Sequence, residues 1–459
     1  MAEHMVREPL SGIDILIAGG GLAGLTAAIE CYRKGHNVRV VERRPGLDPF
    51  GDLVAIQPSA LRTMREWPGF LEGLNENTFG PQAHMYKYDG TFIGVFPICE
   101  SGPNIEDRGV ALSRLDAHRA LHDYATALGI PIEHGVNVQD YSETAEKGFA
   151  ILEDGSKLEA DLVIAADGVG GTAWGIVSGK KEQPISSGYA IYRMTFPLNH
   201  ALKVPELAKV FDESPRTIIH IGHNTHIVTG KNKTSVCFLM TYMDGGNVDD
   251  NWSKTQSSDC ALHYVKEWDS FVPTLISSVP NKEVTDWKLM WRNPQPKWVS
   301  PMGRIAQIGD AAHTLLPTSA SGATMAMEDG ITLAACLQVG GKDDVPLAAR
   351  VYNKLRFERV SCAQRAGFKT REQWHRTNWE VVLKDPTALG KLVGDWLANH
   401  DSEKYAYENY NACAKHIAEG TPFTNTNIPP GYIYEPWTVQ DLVNAANEGR
   451  VVQDTGNWS

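Results

Sequence analysis

A glycine-rich turn between a strand-like run and a helix-like run is the feature that most constrains this chain. The apolar run at residues 13–18 leads into the turn, and Gly19, Gly21 and Gly24 then give the spacing Gly-x-Gly-x-x-Gly. The first glycine allows a tight turn, the second lets a pyrophosphate approach the backbone, and the third lets the helix pack on the strand. Glu42 ends the next strand-like run, where a carboxylate can bind the hydroxyl groups of a ribose. The pattern predicts a Rossmann-like α/β domain that binds a dinucleotide.

The length and composition of the chain set further limits. With 459 residues and 42% hydrophobic content, the chain can form more than one domain around a sizeable core. Its net charge of -12 argues against a nucleic-acid partner. The seven cysteines show no metal-ligand spacing, which predicts a reducing, cytoplasmic compartment and no metal site. The apolar run at the first glycine turn is too short and too rich in glycine to span a bilayer, so membrane association is not indicated.

Two aspartates follow other buried strand-like runs. Asp167 stands in "DLVIAADG" and Asp310 in "RIAQIGDAAH". Folds of the α/β class place ligands at the carboxyl ends of such strands. Each aspartate alone is better explained as a turn or capping residue, but their occurrence together with the glycine turn favours a shared ligand site. Between the glycine turn and the Asp167 motif, residues 113–129 are predicted to form a helix with Ser113 as its N-cap.

The ordered set of motifs resembles one family. Gly-x-Gly-x-x-Gly with its glutamate, Ser-Arg at 113–114, Asp-Gly at 167–168 and "GDAAHTLLPTSASGATMAMED" at 309–329 are similar to the single-component (class A) FAD-dependent aromatic monooxygenases, the para-hydroxybenzoate and salicylate hydroxylase group. The resemblance covers residues 12 to about 375. The asparagine- and tyrosine-rich tail looks closest to fungal indole-alkaloid monooxygenases, although this part rests on spacing more than on chemistry.

The resemblance implies an FAD site. Glu42 would hold the adenosine ribose, Arg114 would reach the FAD from its helix, and Asp167 would lie near the nucleotide. Asp310 would bind the ribityl chain, which agrees with the hydrogen-bond acceptors of a carboxylate.

The loop after Asp310 is expected to support the flavin ring. By the resemblance, Pro317 and Gly322 would lie against the ring, and the small residues between them allow the backbone to approach it. Gly322 also begins a helix-like run, whose positive end can stabilise negative charge by roughly 0.3 to 1 kcal/mol.

Three parts of these motifs depart from the family pattern, at four positions. Ser321 precedes Gly322 where relatives usually have glutamine, and Thr324 stands where asparagine is common. The Asp-Gly motif continues with Gly171 and Trp174 instead of serine and arginine. These changes concern local hydrogen bonds to the cofactor and leave the predicted fold intact.

The distribution of residue types along the chain predicts an FAD-binding domain that is divided into several segments. The segment after Gly188 is rich in β-branched and aromatic residues with turn signals between them, which is typical of an antiparallel sheet. The expected fold is therefore α/β, with an inserted, mainly antiparallel substrate domain and a helical C-terminal region. The predicted segments are 8–80, 104–183 and 291–375 for the FAD-binding domain, 81–103 and 184–290 for the substrate domain, and 376–459 for the C-terminal tail.

Arg193 is the candidate catalytic residue. It follows an aromatic residue in "GYAIYRM", where the family often has an arginine that faces the substrate. A fixed guanidinium can hold a phenolate or donate a hydrogen bond to a developing alkoxide, and the alternative is an ordinary ion pair at the surface. If the segment is a regular strand, Tyr192 faces the other way. His220, His223 and His226 are spaced by three in a strand-like segment, so they are not expected to converge on a metal.

The resemblance implies the reaction. Reduced FAD would react with O2 to give a C4a-hydroperoxyflavin, which transfers one oxygen atom to an electron-rich aromatic secondary metabolite. Only one dinucleotide fingerprint is present, so NADPH or NADH is expected to act as a transient reductant. Indole 2,3-epoxidation with rearrangement is the expected chemistry, with phenol or salicylate-type hydroxylation and a non-catalytic flavin-binding protein as alternatives. The expected partners are a small aromatic substrate and O2, and no stable partner protein is implied.

Overall fold

The computed structural model describes residues 5–47, 52–99, 102–180, 184–211, 214–245, 254–448, 450 and 455–459. The predicted domain boundary after residue 183 falls on a residue outside this described part. The strands are β1 (Asp14–Ala18), β2 (Asn37–Glu42), β3 (Leu53–Ile56), β4 (Gln82–Lys87), β5 (Phe92–Pro97), β6 (Val110–Ser113), β7 (Ile132–His134), β8 (Val138–Glu143), β9 (Gly148–Leu152), β10 (Lys157–Ala160), β11 (Leu162–Ala165), β12 (Ile185–Pro197), β13 (Arg216–Gly222), β14 (Thr225–Lys231), β15 (Ser235–Met243), β16 (Thr255–Ser257), β17 (Glu283–Trp291) and β18 (Ile305–Gln307). The helices are α1 (Leu22–Arg33), α2 (Pro58–Leu61), α3 (Phe70–Leu74), α4 (Ile105–Arg108), α5 (Arg114–Ala127), α6 (Trp174–Ser178), α7 (Leu198–Ala201), α8 (Pro205–Val210), α9 (Ser258–Val265), α10 (Phe271–Ser277), α11 (Gly322–Gly340), α12 (Val345–His375), α13 (Trp379–Val382), α14 (Asp395–Ala398), α15 (Ser402–Glu419) and α16 (Val439–Asn447).

A parallel sheet of five strands forms the first layer. Its order is β18-β11-β1-β2-β7, and every neighbouring pair is parallel. The strands β1 and β11 are short and apolar because both faces of the sheet are buried: α1 and α11 pack on one face, and the antiparallel strands β8, β9 and β10 pack on the other. Since the strands run in one direction, the turns after β1, β11 and β18 meet at one edge of the sheet.

A mixed, mostly antiparallel sheet of eight strands forms the second layer. Its order is β16-β17-β12-β15-β14-β13-β4-β5, and β13 with β4 is its parallel pair. Side chains alternate between its two faces. One face packs on α8, α9 and α10 through a cluster that includes Tyr192, Met240 and Tyr242. The α/β fold with an added, mainly antiparallel sheet is therefore confirmed.

The run at residues 216–230, which the sequence suggests is one strand-like segment, is in fact a hairpin. The chain reverses at His223 and Asn224, and Asn224 has a φ of 57°. Asparagine tolerates this left-handed conformation better than most residues, so the turn forms without glycine. His220 and His226 consequently lie on two different strands and, as described below, on opposite faces of the sheet.

Buried ion pairs hold the long helices α11 and α12 together. Glu328 on α11 accepts two hydrogen bonds from Arg359 on α12, at 2.9 and 3.0 Å, and also pairs with Arg356. All three side chains are almost completely buried. Beyond them, the tail is wrapped and partly helical, and Trp437 packs into an apolar cluster with residues of β12, β17 and α12. Within the described residues, no helix is long and apolar enough to cross a membrane.

Candidate active site

Two adjoining cavities lie between the parallel sheet and the eight-stranded sheet. The larger has a volume of about 620 Å³ and the smaller about 360 Å³. Arg114, Trp287 and Asp310 line both, so the two volumes form one continuous cleft. The larger cavity follows the edge of the parallel sheet, whereas the smaller is bounded by one face of the eight-stranded sheet. The cleft thus lies where the topology of an α/β fold places a ligand.

The glycine turn after β1 has a distinct steric reason at each position. A Cβ on Gly19 would lie 2.3 Å from the carbonyl oxygen of Ala166, and Gly19 has a φ of +114°. A Cβ on Gly24 would lie 2.0 Å from the carbonyl oxygen of Gly19. A Cβ on Gly21 would meet no atom within 4 Å, because this residue lines the cleft at the start of α1. Gly19 and Gly24 therefore allow the turn, and Gly21 leaves the backbone open to a ligand.

Glu42 is held at the end of β2 by backbone amides. Its carboxylate accepts hydrogen bonds from the amide of Gly20 at 2.7 Å and from the amide of Arg44 at 2.8 Å. It lines the larger cavity together with His118, whose Nε2 lies 2.6 Å from the carbonyl oxygen of Gly20. The glycine turn and the acidic strand end are thus one hydrogen-bonded unit.

Asp310 is positioned by the second acidic residue of its own motif. Asp329 on α11 accepts a hydrogen bond from the amide of Gly309 at 2.9 Å, and its Oδ2 lies 2.6 Å from Nε2 of His313. Gly309 has a φ of +59°, and a Cβ there would lie 2.9 Å from that of Ala23. His313 therefore has a structural role, since it holds Asp329 in place. The arrangement directs Asp310 into the cleft.

The surroundings of Asp310 suit an acceptor of hydrogen bonds. Its surface is exposed only to the cleft, and the protein around it withdraws it from bulk water, which raises the pKa of its carboxyl group. His313, Arg114 and Arg292 oppose this shift by their charge. A ligand hydroxyl at this position would satisfy the carboxylate without adding charge.

Asp167 lies in a pocket made by glycine. Its Oδ2 accepts a hydrogen bond from the hydroxyl of Tyr141 at 2.8 Å, while its buried Oδ1 has no partner among the described residues. Burial raises the pKa of its carboxyl group, and Tyr141 partly opposes the shift. A Cβ on Gly171 would lie 2.4 Å from that Oδ1. The glycine that departs from the family pattern therefore makes room for the carboxylate.

Trp174 is the second departure in this motif, and an arginine from a distant part of the chain lies against it. Trp174 is buried, and the guanidinium of Arg292, at the end of β17, lies 5.3 Å above its ring. Arg292 donates a hydrogen bond to the carbonyl of Val169 at 2.8 Å and lines the larger cavity. The sequence analysis missed this cation because Arg292 follows Trp174 by more than a hundred residues, with no motif to link them.

Hydrogen bonds from Gln57 hold the loop before α11 in place. Gln57 donates from its side chain to the carbonyl of Ala320 at 3.1 Å, and its backbone amide donates to Oγ1 of Thr324 at 2.9 Å. Ala320 has a φ of 47°, a conformation that non-glycine residues seldom adopt. Oγ of Ser321 is buried without a partner among the described residues. Thr324, the unusual residue of the motif, thus anchors the loop, and Pro317 and Gly322 line the smaller cavity.

These residues fit the FAD that the sequence resemblance implies. Open backbone at Gly21 and the guanidinium of Arg114 suit a pyrophosphate at the start of α1. Glu42 suits a ribose, and Asp310 suits the hydroxyls of a ribityl chain. The loop from Pro317 to Gly322 presents small side chains to the smaller cavity, as a flat ring requires.

One face of the eight-stranded sheet lines the smaller cavity. Alternate residues of each strand point there, as the period of a strand requires. Its lining residues include Ile191 and Arg193 of β12, His226 and Val228 of β14, Leu239 and Thr241 of β15, and Trp287 and Leu289 of β17. Tyr192 faces the other way and stacks on Tyr242 at 4.4 Å between ring centroids. The cavity wall is therefore largely apolar with a few polar groups.

Arg193 has its partner within the same cavity. Its Nη1 donates to Oδ2 of Asp52 at 2.5 Å, and its guanidinium lies 5.7 Å from the ring of Trp287. Both members of the pair line the smaller cavity, and both are largely buried. Asp52 was missed by the sequence analysis, and "FGDL" carries no signal that could have identified it. The arginine thus lies in a largely buried ion pair on the wall of the smaller cavity, not in a surface ion pair.

Two histidines form a second polar contact at this cavity. Nδ1 of His226 lies 2.8 Å from Nε2 of His375, at the end of α12. The ring of Trp374 meets His226 edge to face at 5.0 Å. Burial lowers the pKa of His226 to about 3 and that of His375 to about 2, so both rings are neutral at physiological pH. His220, by contrast, stacks on Tyr86 at the opposite face.

Comparison with known proteins agrees with this arrangement. A family profile described as "FAD binding domain" matches residues 12–344. The FAD-dependent monooxygenase fsr3 of Gibberella fujikuroi is 37% identical over 99% of this chain and 91% of its own. The crystal structure of CtdE in complex with FAD and a substrate has a TM-score of 0.82 at 29% identity, covering 89% of this chain and all of that one. A salicylate hydroxylase substrate complex shares the fold, with a TM-score of 0.70 at 22% identity over 90% of this chain and all of the other.

Proposed function

Because the chain belongs to the family of FAD-dependent monooxygenases, we propose that it inserts one atom of O2 into an electron-rich aromatic secondary metabolite. Indole 2,3-epoxidation followed by rearrangement is the first candidate reaction. The observation that carries the proposal is the pair Arg193–Asp52 in an apolar cavity that continues into the cleft at the glycine turn.

The cofactor supplies the oxidising chemistry: FAD, once reduced by NADPH or NADH, activates O2. The chain's own part is to bind and orient. In the proposed site Glu42, Arg114 and Asp167 hold the nucleotide half, and Asp310 holds the ribityl chain. Pro317 and Gly322 support the ring at the entrance to the smaller cavity.

Arg193 is the proposed catalytic residue. Asp52 holds its guanidinium in place, and an oxygen of the substrate can reach it within the cavity. There it donates a hydrogen bond to the oxygen of an opening epoxide, which stabilises the developing negative charge and assists rearrangement. The surrounding aliphatic and aromatic side chains exclude water, which strengthens this interaction.

Hydroxylation of a phenol is the second candidate. The same Arg193 can bind a phenolate, which activates the ring toward an electrophilic oxygen. The products distinguish the candidates. An indole epoxide rearranges to an oxindole-type product, whereas a phenol gains a hydroxyl group with its ring system unchanged.

The test begins with the holoenzyme under anaerobic conditions. NADPH or NADH is mixed with the protein and with a panel of indoles and phenols, and the loss of visible flavin absorbance is followed. Reduction that a candidate substrate accelerates is expected. Isotopically labelled O2 is then admitted, and one labelled oxygen atom in the product is expected. If the flavin binds but is never reduced by either nucleotide with any of these compounds, the chain binds flavin without this activity and the proposal fails.

A further inference from the structure

The histidine pair at the smaller cavity has a definite hydrogen-bond direction. The two neutral rings share one proton between Nδ1 of His226 and Nε2 of His375. The other nitrogen of His375, Nδ1, is buried and has no partner among the described residues. If that nitrogen carried a proton, a buried N–H would be unsatisfied next to the positive charge of Arg371, whose guanidinium lies 4.5 Å from the adjoining ring of Tyr189. A bare lone pair there is less costly.

The tautomer of His226 follows from this choice. His375 donates from Nε2 to Nδ1 of His226, so the proton of His226 is on its own Nε2. Its Nδ1 is already engaged, and His226 lines the smaller cavity but not the larger one. The edge-to-face contact with Trp374 fixes the plane of the ring. The cavity is thereby given a neutral N–H donor in addition to the cationic donor Arg193.

We propose that Nε2–H of His226 binds an acceptor oxygen of the substrate, so that this cavity selects apolar aromatic compounds that carry a carbonyl or equivalent oxygen. His375 is a positioning residue that fixes the tautomer. The inference rests on the proposed function in taking the smaller cavity as the substrate site. The wall around the donor is largely apolar, with Ile219, Val228 and Leu239 as examples, and Thr241 is the polar cross-strand neighbour of His226. An aromatic compound without such an oxygen would leave the donor unsatisfied, at a cost in affinity.

The test measures binding to the oxidised holoenzyme by calorimetry, which requires no turnover. The two probes are 2-acetylnaphthalene and 2-ethylnaphthalene, which differ only in a carbonyl group in place of a methylene. The wild-type protein is expected to favour the ketone. In His226→Phe, the ratio of the two affinities is expected to fall about tenfold, since the ketone then enters the cavity without its donor. His226→Gln, which keeps an N–H donor, is expected to retain the ratio within about threefold.

Two further variants separate the proposed role from a structural one. His220→Phe replaces another buried histidine of the same sheet, but one that faces away from the cavity, and should leave the ratio unchanged. In His375→Phe, the proton of His226 can lie on either ring nitrogen. The ratio of the two affinities should therefore fall by less than in His226→Phe. Equal ratios in the wild type and His226→Phe, or no binding of the ketone to the wild type, would overturn the inference. If His226→Phe lowers the ratio of the two affinities as expected but NADPH and NADH do not reduce the flavin, the inference stands and the proposed function fails.

Discussion

At the scale of single residues, Asp310 gives the sharpest test of the cofactor site. Asp310→Ala removes the carboxylate that faces the cleft, and a charged hydrogen-bond partner contributes roughly 1.5 to 3 kcal/mol. We expect FAD to bind about ten to a hundred times more weakly and the purified protein to lose its yellow colour. Asp310→Asn, which keeps one acceptor oxygen, should retain part of the flavin. Flavin titration followed by fluorescence measures both, and full flavin content in the alanine variant would remove Asp310 from the site.

Arg193 is predicted to affect chemistry without affecting cofactor binding. Loss of a donor aimed at a developing negative charge typically reduces turnover about 100- to 1000-fold, and we expect this for Arg193→Ala. The flavin content should remain normal, because Arg193 lines only the smaller cavity. Tyr192→Phe is the matched control, since Tyr192 is the neighbour on the opposite face and should change turnover less than twofold. Product formation is measured by chromatography, and unchanged turnover in Arg193→Ala would contradict its assigned role.

The residues that sequence could identify are those whose role follows from local spacing. Gly24 must be glycine because a Cβ would strike the backbone of Gly19 in the same turn, Gly19 lies at the tight turn itself, and Asp310 closely follows a buried strand. Asp52 and His226 carry no such signal. His226 reaches the cavity because the register of β14 with β13 and β15 brings its side chain to that face of the sheet. Asp52 reaches it from the chain before β3, 141 residues away from its partner Arg193.

At the scale of elements, the contact between α11 and α12 depends on buried charge. Glu328→Ala would leave Arg356 and Arg359 without their shared partner, and removing one member of a buried pair costs about 3 to 5 kcal/mol. We expect the thermal midpoint of unfolding to fall by at least about 5 °C. Glu408→Ala breaks an exposed pair with Lys404 at 3.8 Å and should shift the midpoint by less than about 2 °C. Equal shifts in the two variants, measured by scanning calorimetry, would show that the buried network is dispensable.

The elements themselves were largely predictable, but their turns were less so. The predicted helix at 113–129 is observed as α5 over Arg114–Ala127, with Ser113 accepting a hydrogen bond from the amide of Asp116. Capping residues and apolar periodicity act locally, so the sequence reveals them. The hairpin at Asn224 was missed because its two turn residues, His223 and Asn224, include neither glycine nor proline, although Gly222 directly precedes them. A left-handed asparagine is recognisable only once the strands on either side are seen to pair.

At the scale of the whole molecule, the order of the sheets could not be read from the sequence. β4 lies beside β13 in the eight-stranded sheet, although more than a hundred residues separate them. Which strands pair over such a distance depends on how the whole chain folds. The alternation of side chains within one strand gives no information on it. What the motifs did predict is the α/β class, because the parallel strand ends must meet to bring Asp167 and Asp310 to one cleft.

The buried histidines make the stability of the whole molecule depend on pH. Burial lowers the pKa values of four of them: to about 4 for His36 and His220, about 3 for His226 and about 2 for His375. The ordinary value of about 6.5 applies in the unfolded chain. Between pH 6.5 and pH 4 the unfolded state therefore binds more protons than the folded state, and the free energy of unfolding must fall as the pH falls.

Each such histidine contributes a slope of up to about 1.4 kcal/mol per pH unit within that window. The raised pKa values of Asp167 and Asp310 act in the opposite direction, since these carboxyl groups bind protons in the folded state first. The raised pKa of Asp286 acts in the same direction as theirs, while burial also lowers the pKa values of His118 and His400.

Three carboxyl groups therefore oppose six histidines, so they reduce the slope without reversing it. We expect the denaturant midpoint to decrease steadily from pH 7 to pH 5. His220→Phe should remove one of these six histidine contributions, and a midpoint that does not change over this range would contradict the burial of these rings in their neutral form.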